Sequence, residues 1–241
     1  MAEKRRRPQR QKFLLWDFDG TLAHRPGQWT DTLLCVLQRA GHCEGLDREV
    51  VRPFMNAGFP WHEPGRVREP GQSADDWWRD LQPVLIRACA HLANLDQDRA
   101  ATLAAQVRST YLDPAAWVVF DDVVPALEQL TQRGWRHIVL SNHVPELPQL
   151  IDRLGLGRHF DAVHTSATMG VEKPNRRAFL HARSSLPRTA MVWMIGDNPV
   201  ADAQGAEAAG IPAILVRSAS PLVTRRCAAL TEVIDLLERQ P

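Results

Sequence analysis

The chain has 241 residues, of which 44% are hydrophobic and 24% are charged, and its formal net charge at pH 7 is +1. This composition is typical of a folded globular protein and excludes a disordered chain, a collagen-like repeat and a fibrous protein. The length fits one large domain, or a domain that carries a smaller insertion, better than two equal domains.

The charge is distributed unevenly. Residues 1–12 carry a net charge of +5, whereas residues 13–241 carry −4. We interpret residues 1–12 as a basic flexible tail. A mildly acidic folded part is poorly suited to binding phosphates of a nucleic acid along a broad face, so we expect no nucleic acid partner.

Membrane and secretory features are absent from the sequence pattern. No apolar run reaches the roughly 18 residues that a membrane span requires. The short apolar segment after the basic tail is followed at once by Asp17, which is unlike the apolar region of a signal peptide. We therefore expect no membrane association and a cytoplasmic location.

The first predicted elements are one strand and a long helical segment. Residues 13–17 form a short apolar run that ends in an acid, which predicts a buried strand. Residues from about 30 to 110 follow a helical pattern that begins with a helix over 30–40. A loop rich in Gly and Pro is predicted over 56–72.

A further helix within this segment begins after Ser73. Ser73 and Asp76 form a capping box, and the Trp77-Trp78 pair that follows is predicted to pack in a helical core. Pro83 should kink or interrupt this helix, because proline removes a backbone hydrogen bond.

Helices and strands alternate after residue 114. The predicted strands are 137–140, 161–165, 191–195 and 213–216, and the predicted helices are 122–133, 145–154, 175–184, 200–209 and 228–238. This alternation predicts an α/β fold with a mostly parallel sheet that is covered on both faces. The sheet also needs the strand at 13–17. We therefore predict a core of residues 13–23 and 111–241, and an inserted all-helical cap of residues 24–110.

Polar residues follow the predicted strands where a parallel sheet binds its ligands, beyond the carboxyl ends. These residues are Asp17, Asp19, Ser141, Asn142, Asp197 and Asp202, and Lys173 lies in the loop before the helix at 175. Several carboxylates at one edge repel one another unless a cation lies among them. Oxygen ligands without thiolate or imidazole favour Mg²⁺.

The same edge offers groups that bind phosphate. They are the Ser141 hydroxyl, the backbone amides near Gly20 and Asn142, and the Lys173 ammonium. A divalent cation beside phosphate ligands is suited to phosphoryl transfer, in which positioning and charge neutralisation supply most of the catalysis.

Four segments resemble the motifs of the haloacid dehalogenase superfamily. They are WDFDGTL at 16–22, IVLSN at 138–142, EKP at 172–174 and GDNPVAD at 196–202, and they occur in the order of that family. The resemblance extends from residue 13 to about 220. It implies a Rossmann-like three-layer core with the helical cap of subfamily I inserted after the first motif.

The resemblance also implies a role for each motif residue. Asp17 would attack the phosphorus and become a transient aspartyl phosphate, and Asp19 would act as general acid and then as general base. Mg²⁺ would be bound by Asp17, by Asp197 and by the backbone carbonyl of Asp19, with Asp202 orienting a water molecule or Lys173 behind them. The remaining implied ligands, which hold the phosphate oxygens, are Ser141, Asn142 and Lys173.

Asp19 and the absence of lysine from the cap distinguish among the chemistries of this family. Dehalogenases of the family lack an aspartate two residues after the nucleophile, whereas Asp19 is present here. A phosphonatase of the family uses a cap lysine, and residues 24–110 contain none. We therefore predict a phosphatase for a small phosphorylated metabolite. A phosphosugar mutase and a binding scaffold with little turnover remain as alternatives.

Five further side chains are candidates for contact with substrate. His24 and His143 lie next to motif residues, and His62, Arg66 and Arg68 lie in the predicted cap loop 56–72. For these loop residues a solvated loop is the competing interpretation. The sequence leaves the identity of the substrate and the oligomeric state open.

Overall fold

The computed structural model describes residues 11–42 and 44–239. The predicted basic tail therefore lies outside the described residues, except for residues 11 and 12. Lys12 belongs to the first strand, so the sheet begins one residue earlier than predicted.

The strands are β1 Lys12–Trp16, β2 Ala23–His24, β3 Val118–Val119, β4 Trp135–Ser141, β5 Ala162–Thr165, β6 Met191–Gly196, β7 Ala213–Val216 and β8 Arg226–Cys227. The α-helices are α1 Gln28–Arg39, α2 Arg48–Val51, α3 Ala74–Leu92, α4 Gln97–Ala104, α5 Gln106–Tyr111, α6 Val123–Gln132, α7 Leu147–Arg153, α8 Ser166–Met169, α9 Arg176–Ser184, α10 Gly205–Ala208 and α11 Val233–Glu238. Short 3₁₀ helices cover Arg52–Met55, Pro60–His62, Pro114–Ala116, Gly157–His159 and Leu230–Glu232, and a π-helix covers Pro199–Gln204.

The main sheet is parallel throughout, in the order β5-β4-β1-β6-β7-β8. β1 lies near its centre, and the register pairs Trp16 with Val139 on one side and with Ile195 on the other. Because both faces of β1 are covered, residues 13–16 are all apolar and buried. The predicted parallel α/β fold is confirmed.

The two faces of β1 enter different apolar clusters. Phe13 and Leu15 pack with residues of α9 and β6 on one face of the sheet. Leu14 and Trp16 belong to a larger cluster that includes α6 and α11 and continues into buried residues of α1 and α3. The inserted helices and this face of the sheet therefore share one continuous apolar core.

α1 to α5 lie between β2 and β3, which pair antiparallel through Ala23 and Val119. These two short strands bring the two ends of the helical insertion together. The division into a core and a cap at the predicted boundaries stays a prediction.

Several elements differ from the sequence prediction. α3 runs without interruption through Pro83, whose ring is exposed while neighbouring Leu81 and Leu85 are buried. Burial of this apolar face stabilises the helix more than one lost hydrogen bond destabilises it. In place of the predicted helix at 200–209, the structure has a π-helix followed by α10. Within the predicted helix at 228–238, α11 begins only at Val233.

Among residues 11–42 and 44–239, no helix combines the length and the apolar character that crossing a membrane requires.

Candidate active site

The carboxyl ends of β4, β1 and β6 lie side by side and place the predicted residues around one cavity of about 260 Å³. Asp17 follows β1 directly, and its amide donates a hydrogen bond to the carbonyl of Ile195 in β6 at 2.9 Å. The predicted site residues that line the cavity are Asp17, Asp19, Ser141, Asn142, Lys173 and Asp197. Asp202 is buried behind them at 1% exposure.

Lys173 connects two carboxylates inside the site. Its ammonium Nζ lies 2.9 Å from Oδ1 of Asp17 and 2.5 Å from Oδ1 of Asp202. Burial lowers the pKa of Lys173, but the negative charges of Asp17 and Asp202 outweigh this effect and raise it well above its usual range. Lys173 is therefore a fixed positive charge beside Asp17.

The loop that carries Lys173 is attached to the end of β4. The Asn142 side chain donates a hydrogen bond to the carbonyl of Lys173 at 2.9 Å and accepts one from the amide of Lys173 at 2.7 Å. Ser141 is 1% exposed, and its hydroxyl has no hydrogen-bond partner among the described residues. A buried hydroxyl of this kind is available to a ligand.

Asp197 lies against the turn that follows β1. Its Oδ1 accepts a hydrogen bond from the Thr21 hydroxyl at 3.3 Å. Gly20 has a φ of 79°, and a Cβ atom there would clash with the Asp197 carboxylate. Only glycine combines this backbone conformation with the close approach of Asp197.

Both carboxylate oxygens of Asp202 have partners. Oδ1 pairs with Lys173, and Oδ2 accepts a hydrogen bond from the amide of Asn198 at 3.0 Å. The Asn198 side chain in turn accepts hydrogen bonds from the amides of Val200 and Ala201, and so caps the π-helix that contains Asp202. These contacts hold Asp202 in a supporting position behind Lys173.

Asp19 is in an unusual electrostatic environment. Burial, followed by the charges of Asp17 and Asp197, raises its pKa from 3.8 to about 8. The Gln28 side chain partly offsets this rise in the pKa, and Oδ1 of Asp19 is buried and has no hydrogen-bond partner among the described residues. A carboxyl group with this pKa is protonated at neutral pH and is a suitable proton donor.

The cluster of acids is suited to a divalent metal ion. Carboxylate oxygens of Asp17, Asp197 and Asp202 lie within 4.8 Å of one another. Burial and the charge of Asp17 raise the pKa of Asp197 to about 6 and that of Asp202 to about 7. Since both oxygens of Asp202 are already engaged, Asp17 and Asp197 are the acids of this cluster best placed to hold a cation. An all-oxygen donor set fits a hard cation.

Comparisons with known proteins identify the family of this chain. A family model of haloacid dehalogenase-like hydrolases matches residues 12–210. The chain belongs to this family of hydrolases.

Two relatives and one solved structure illustrate the relationship. The human haloacid dehalogenase-like hydrolase domain-containing protein 3 is 33% identical over 61% of this chain and 57% of its own length, so the chain spans less than two thirds of that relative. A ribulose-1,5-bisphosphate 5-phosphatase of Halopiger xanaduensis is 34% identical over 84% of this chain and 83% of its own length. The magnesium-bound HAD hydrolase YfnB of Bacillus subtilis is 17% identical and shares the fold, with a TM-score of 0.73 over 95% of this chain and 99% of that chain.

The opposite side of the cavity in this hydrolase is formed by residues that the sequence analysis missed. They are Gln28 and Trp29 at the start of α1, Trp61 in the loop 56–72, and Tyr111 at the end of α5. The Gly- and Pro-rich composition of 56–72 predicted a loop, with contact to substrate as one of two interpretations, but it did not single out Trp61. Gln28 and Tyr111 had no sequence signal, because they reach the site through tertiary packing.

The other candidate residues have different positions. His143 lines the cavity, is buried, and has a pKa lowered to about 4 by burial. His24 stacks on Phe120 with ring centroids 4.9 Å apart, outside the residues that line the cavity. Arg66 and Arg68 line a separate cavity, and His62 is exposed.

Polar contacts hold the inserted helices of the hydrolase against its sheet edge. Glu146, just before α7, accepts hydrogen bonds from Trp78 at 3.1 Å and from Arg108 at 2.8 Å. The amide of Arg68 donates to Gly170 at 2.7 Å. Trp77 and Trp78 are both 3% exposed, as predicted for core residues.

Proposed function

We propose that the protein is a Mg²⁺-dependent phosphomonoesterase that hydrolyses a small phosphorylated metabolite through an aspartyl-phosphate intermediate. One observation carries the proposal: Asp17, paired with Lys173 at 2.9 Å, shares a cavity with a second carboxyl group, Asp19, whose pKa is about 8. A charged nucleophile beside a protonated acid is the pair that ester cleavage requires.

The reaction would proceed in two steps. An oxygen of Asp17 attacks the phosphorus, the bond to the alcohol oxygen breaks, and Asp19 gives its proton to that oxygen. Asp19 then takes a proton from a water molecule, which attacks the phosphorus of the aspartyl phosphate. This second step releases inorganic phosphate and restores Asp17 and Asp19.

Other residues would neutralise and orient the phosphoryl group. The Ser141 hydroxyl and the Asn142 amide would hold its oxygens, and Lys173 would neutralise its charge. Asp17, Asp197 and the backbone carbonyl of Asp19 would bind Mg²⁺, which supplies further charge neutralisation. Asp202 would keep Lys173 in place. The family and the phosphatase name of the Halopiger xanaduensis relative support this assignment. A cytoplasmic location and the absence of a nucleic acid partner stay predictions.

Hydrolysis of p-nitrophenyl phosphate with Mg²⁺ tests the proposal. We expect Asp17→Asn to lower kcat by at least about 1,000-fold and EDTA to abolish activity until Mg²⁺ is restored. Equal rates for wild type and Asp17→Asn, or full activity in EDTA, would contradict the mechanism. An isomer formed without phosphate release from a sugar phosphate would favour the mutase alternative. Absence of turnover across phosphate esters would favour the scaffold.

A further inference from the structure

The residues that line the cavity divide by charge. Among the described residues, the sheet edge contributes every lining acid and the one lining lysine, which are Asp17, Asp19, Asp197 and Lys173. The facing side consists of Gln28, Trp29, Trp61 and Tyr111, none of which is charged at neutral pH. Burial, and then the charge of Asp19, raises the pKa of Tyr111 well above its usual value, so its hydroxyl stays neutral.

The three rings of this facing side form one packed surface, which we call the aromatic wall (Trp29, Trp61 and Tyr111). Trp29 stacks on Tyr111 with ring centroids 4.1 Å apart, and Trp29 and Trp61 lie 5.6 Å apart. Phe59 packs behind Trp61 at 4.8 Å. Trp29 and Tyr111 are only 8% and 2% exposed, so the half-buried Trp61 supplies most of the apolar surface that a ligand can reach. Rings packed in this way are ordered before a ligand binds, which lowers the entropy cost of binding.

The Arg25 guanidinium lies close to this wall but outside the residues that line the cavity. Its carbon Cζ lies 5.8 Å from the centroid of the Tyr111 ring, and its Nε donates a hydrogen bond to Thr32 at 2.9 Å. Arg25 is 7% exposed. Its Nη1 is shielded from solvent and has no hydrogen-bond partner among the described residues, so the guanidinium does not reach the surface of the cavity. None of the four residues of the facing side is a cation that could pair with a second anion.

On the basis of the proposed phosphatase function, we propose that the aromatic wall selects phosphate esters of compact, uncharged alcohols and rejects esters that carry a carboxylate or a second phosphate. A second anion would lose its hydration against apolar rings and would face the acids of the sheet edge without a counter-ion. Aromatic faces instead pack well against the C–H groups of a neutral polyol or ring.

The size of the cavity restricts the alcohol further. Its volume of about 260 Å³ must hold the phosphoryl group as well as the alcohol. This volume lies below the range of about 300–1,000 Å³ that is usual for small-molecule sites. Phosphate esters of short-chain alcohols therefore fit the cavity and are suited to testing the charge selection.

Two phosphate esters of the same chain length test the charge selection directly. Glycerol 3-phosphate presents a neutral diol, and 3-phosphoglycerate presents a carboxylate on a chain of equal length. We expect kcat/KM in the presence of Mg²⁺ to be at least about 100-fold higher for glycerol 3-phosphate, because the carboxylate would be buried without a partner. Phosphoserine should be rejected similarly, since its carboxylate would also be unpaired.

A matched pair of variants tests the role of the wall. Trp61→Arg places a cation inside the cavity, and Phe54→Arg makes the same kind of change at a half-buried aromatic residue outside it. Trp61→Arg should raise kcat/KM for 3-phosphoglycerate and so reduce the preference for glycerol 3-phosphate at least about 10-fold. Phe54→Arg should leave the preference as in wild type.

The outcomes separate this inference from the proposed function. If wild type hydrolyses p-nitrophenyl phosphate and prefers 3-phosphoglycerate or shows no preference, the inference is wrong and the phosphatase function stands. If Trp61→Arg and Phe54→Arg show the same preference between the two esters, the aromatic wall does not select substrates by charge. If wild type hydrolyses none of these esters, both proposals fail. The wild-type comparison needs no variant and therefore holds even if Trp61→Arg does not fold.

Discussion

His137 is predicted to make the stability of the protein dependent on pH. Its Nδ1 accepts a hydrogen bond from the Trp16 indole at 3.0 Å, and its Nε2 lies 3.0 Å from the Thr131 hydroxyl. The Thr131 hydroxyl donates its own proton to the carbonyl of Leu127. Nε2 of His137 must therefore carry the hydrogen, and Nδ1 must stay unprotonated to accept from Trp16. A second proton on this ring has no place in the folded protein.

The size and direction of the effect follow from the pKa. Burial lowers the pKa of His137 from 6.5 to about 4. The unfolded chain therefore takes up a proton at a higher pH than the folded protein. The stability from this group is complete above pH 6.5 and is lost as the pH falls from 6.5 to 4. Between pH 7.5 and 4.5 the loss is on the order of 2–3 kcal/mol.

Comparison with His137→Asn isolates this contribution. The asparagine oxygen can still accept the Trp16 hydrogen bond but does not titrate. Urea unfolding followed by circular dichroism should show the variant less stable at pH 7.5. Its disadvantage relative to wild type should shrink by roughly 2–3 kcal/mol at pH 4.5, because wild type alone loses the His137 contribution. Parallel stability profiles for the two proteins, or a His137 pKa near 6.5 by NMR, would refute this reasoning.

Three further substitutions test the site. Lys173→Arg should lower kcat at least about 100-fold on p-nitrophenyl phosphate, because a planar guanidinium does not fit where a compact ammonium contacts both Asp17 and Asp202; near-normal activity would contradict this. Gln28→Ala removes a side chain that lines the cavity with Asp19 and influences its pKa, and it should reduce hydrolysis of an alkyl phosphate, which needs a proton donor, more than that of p-nitrophenyl phosphate. Equal losses on the two esters would argue against a positioning role. Gly20→Ala and Gly134→Ala have the same positive φ, but only the first new methyl group meets Asp197. Both should lose about 1–2 kcal/mol of stability, and only Gly20→Ala should also lose activity; equal activity in the two variants would count against the close approach.

The sheet edge was predictable from the sequence because it depends on local patterns. Every motif residue except Lys173 follows a short apolar strand, and the carboxyl ends of adjacent parallel strands meet at one edge. The cavity contains Asp17, Asp19 and Asp197, as that rule requires, and the loop before α9 adds Lys173. The supporting position of Asp202 behind Lys173 was implied by the family resemblance and not by its place after a strand.

The facing side could not be predicted in the same way. Trp29, Trp61 and Tyr111 come from three separate elements, and no spacing along the chain connects them. Their meeting depends on how the inserted helices pack on the sheet. α3 illustrates the same limit. Pro83 predicts a kink or an interruption, but the helix is continuous because burial of its apolar face stabilises it.

The aromatic wall gives the protein an intrinsic optical signal. Two of the eight tryptophans of the chain, Trp29 and Trp61, line the cavity. Indole emission responds to the polarity of its surroundings, so a ligand that displaces water from these two rings should change the fluorescence of the unlabelled protein. Substrates that turn over slowly, and inhibitors that do not turn over at all, can then be ranked by direct titration.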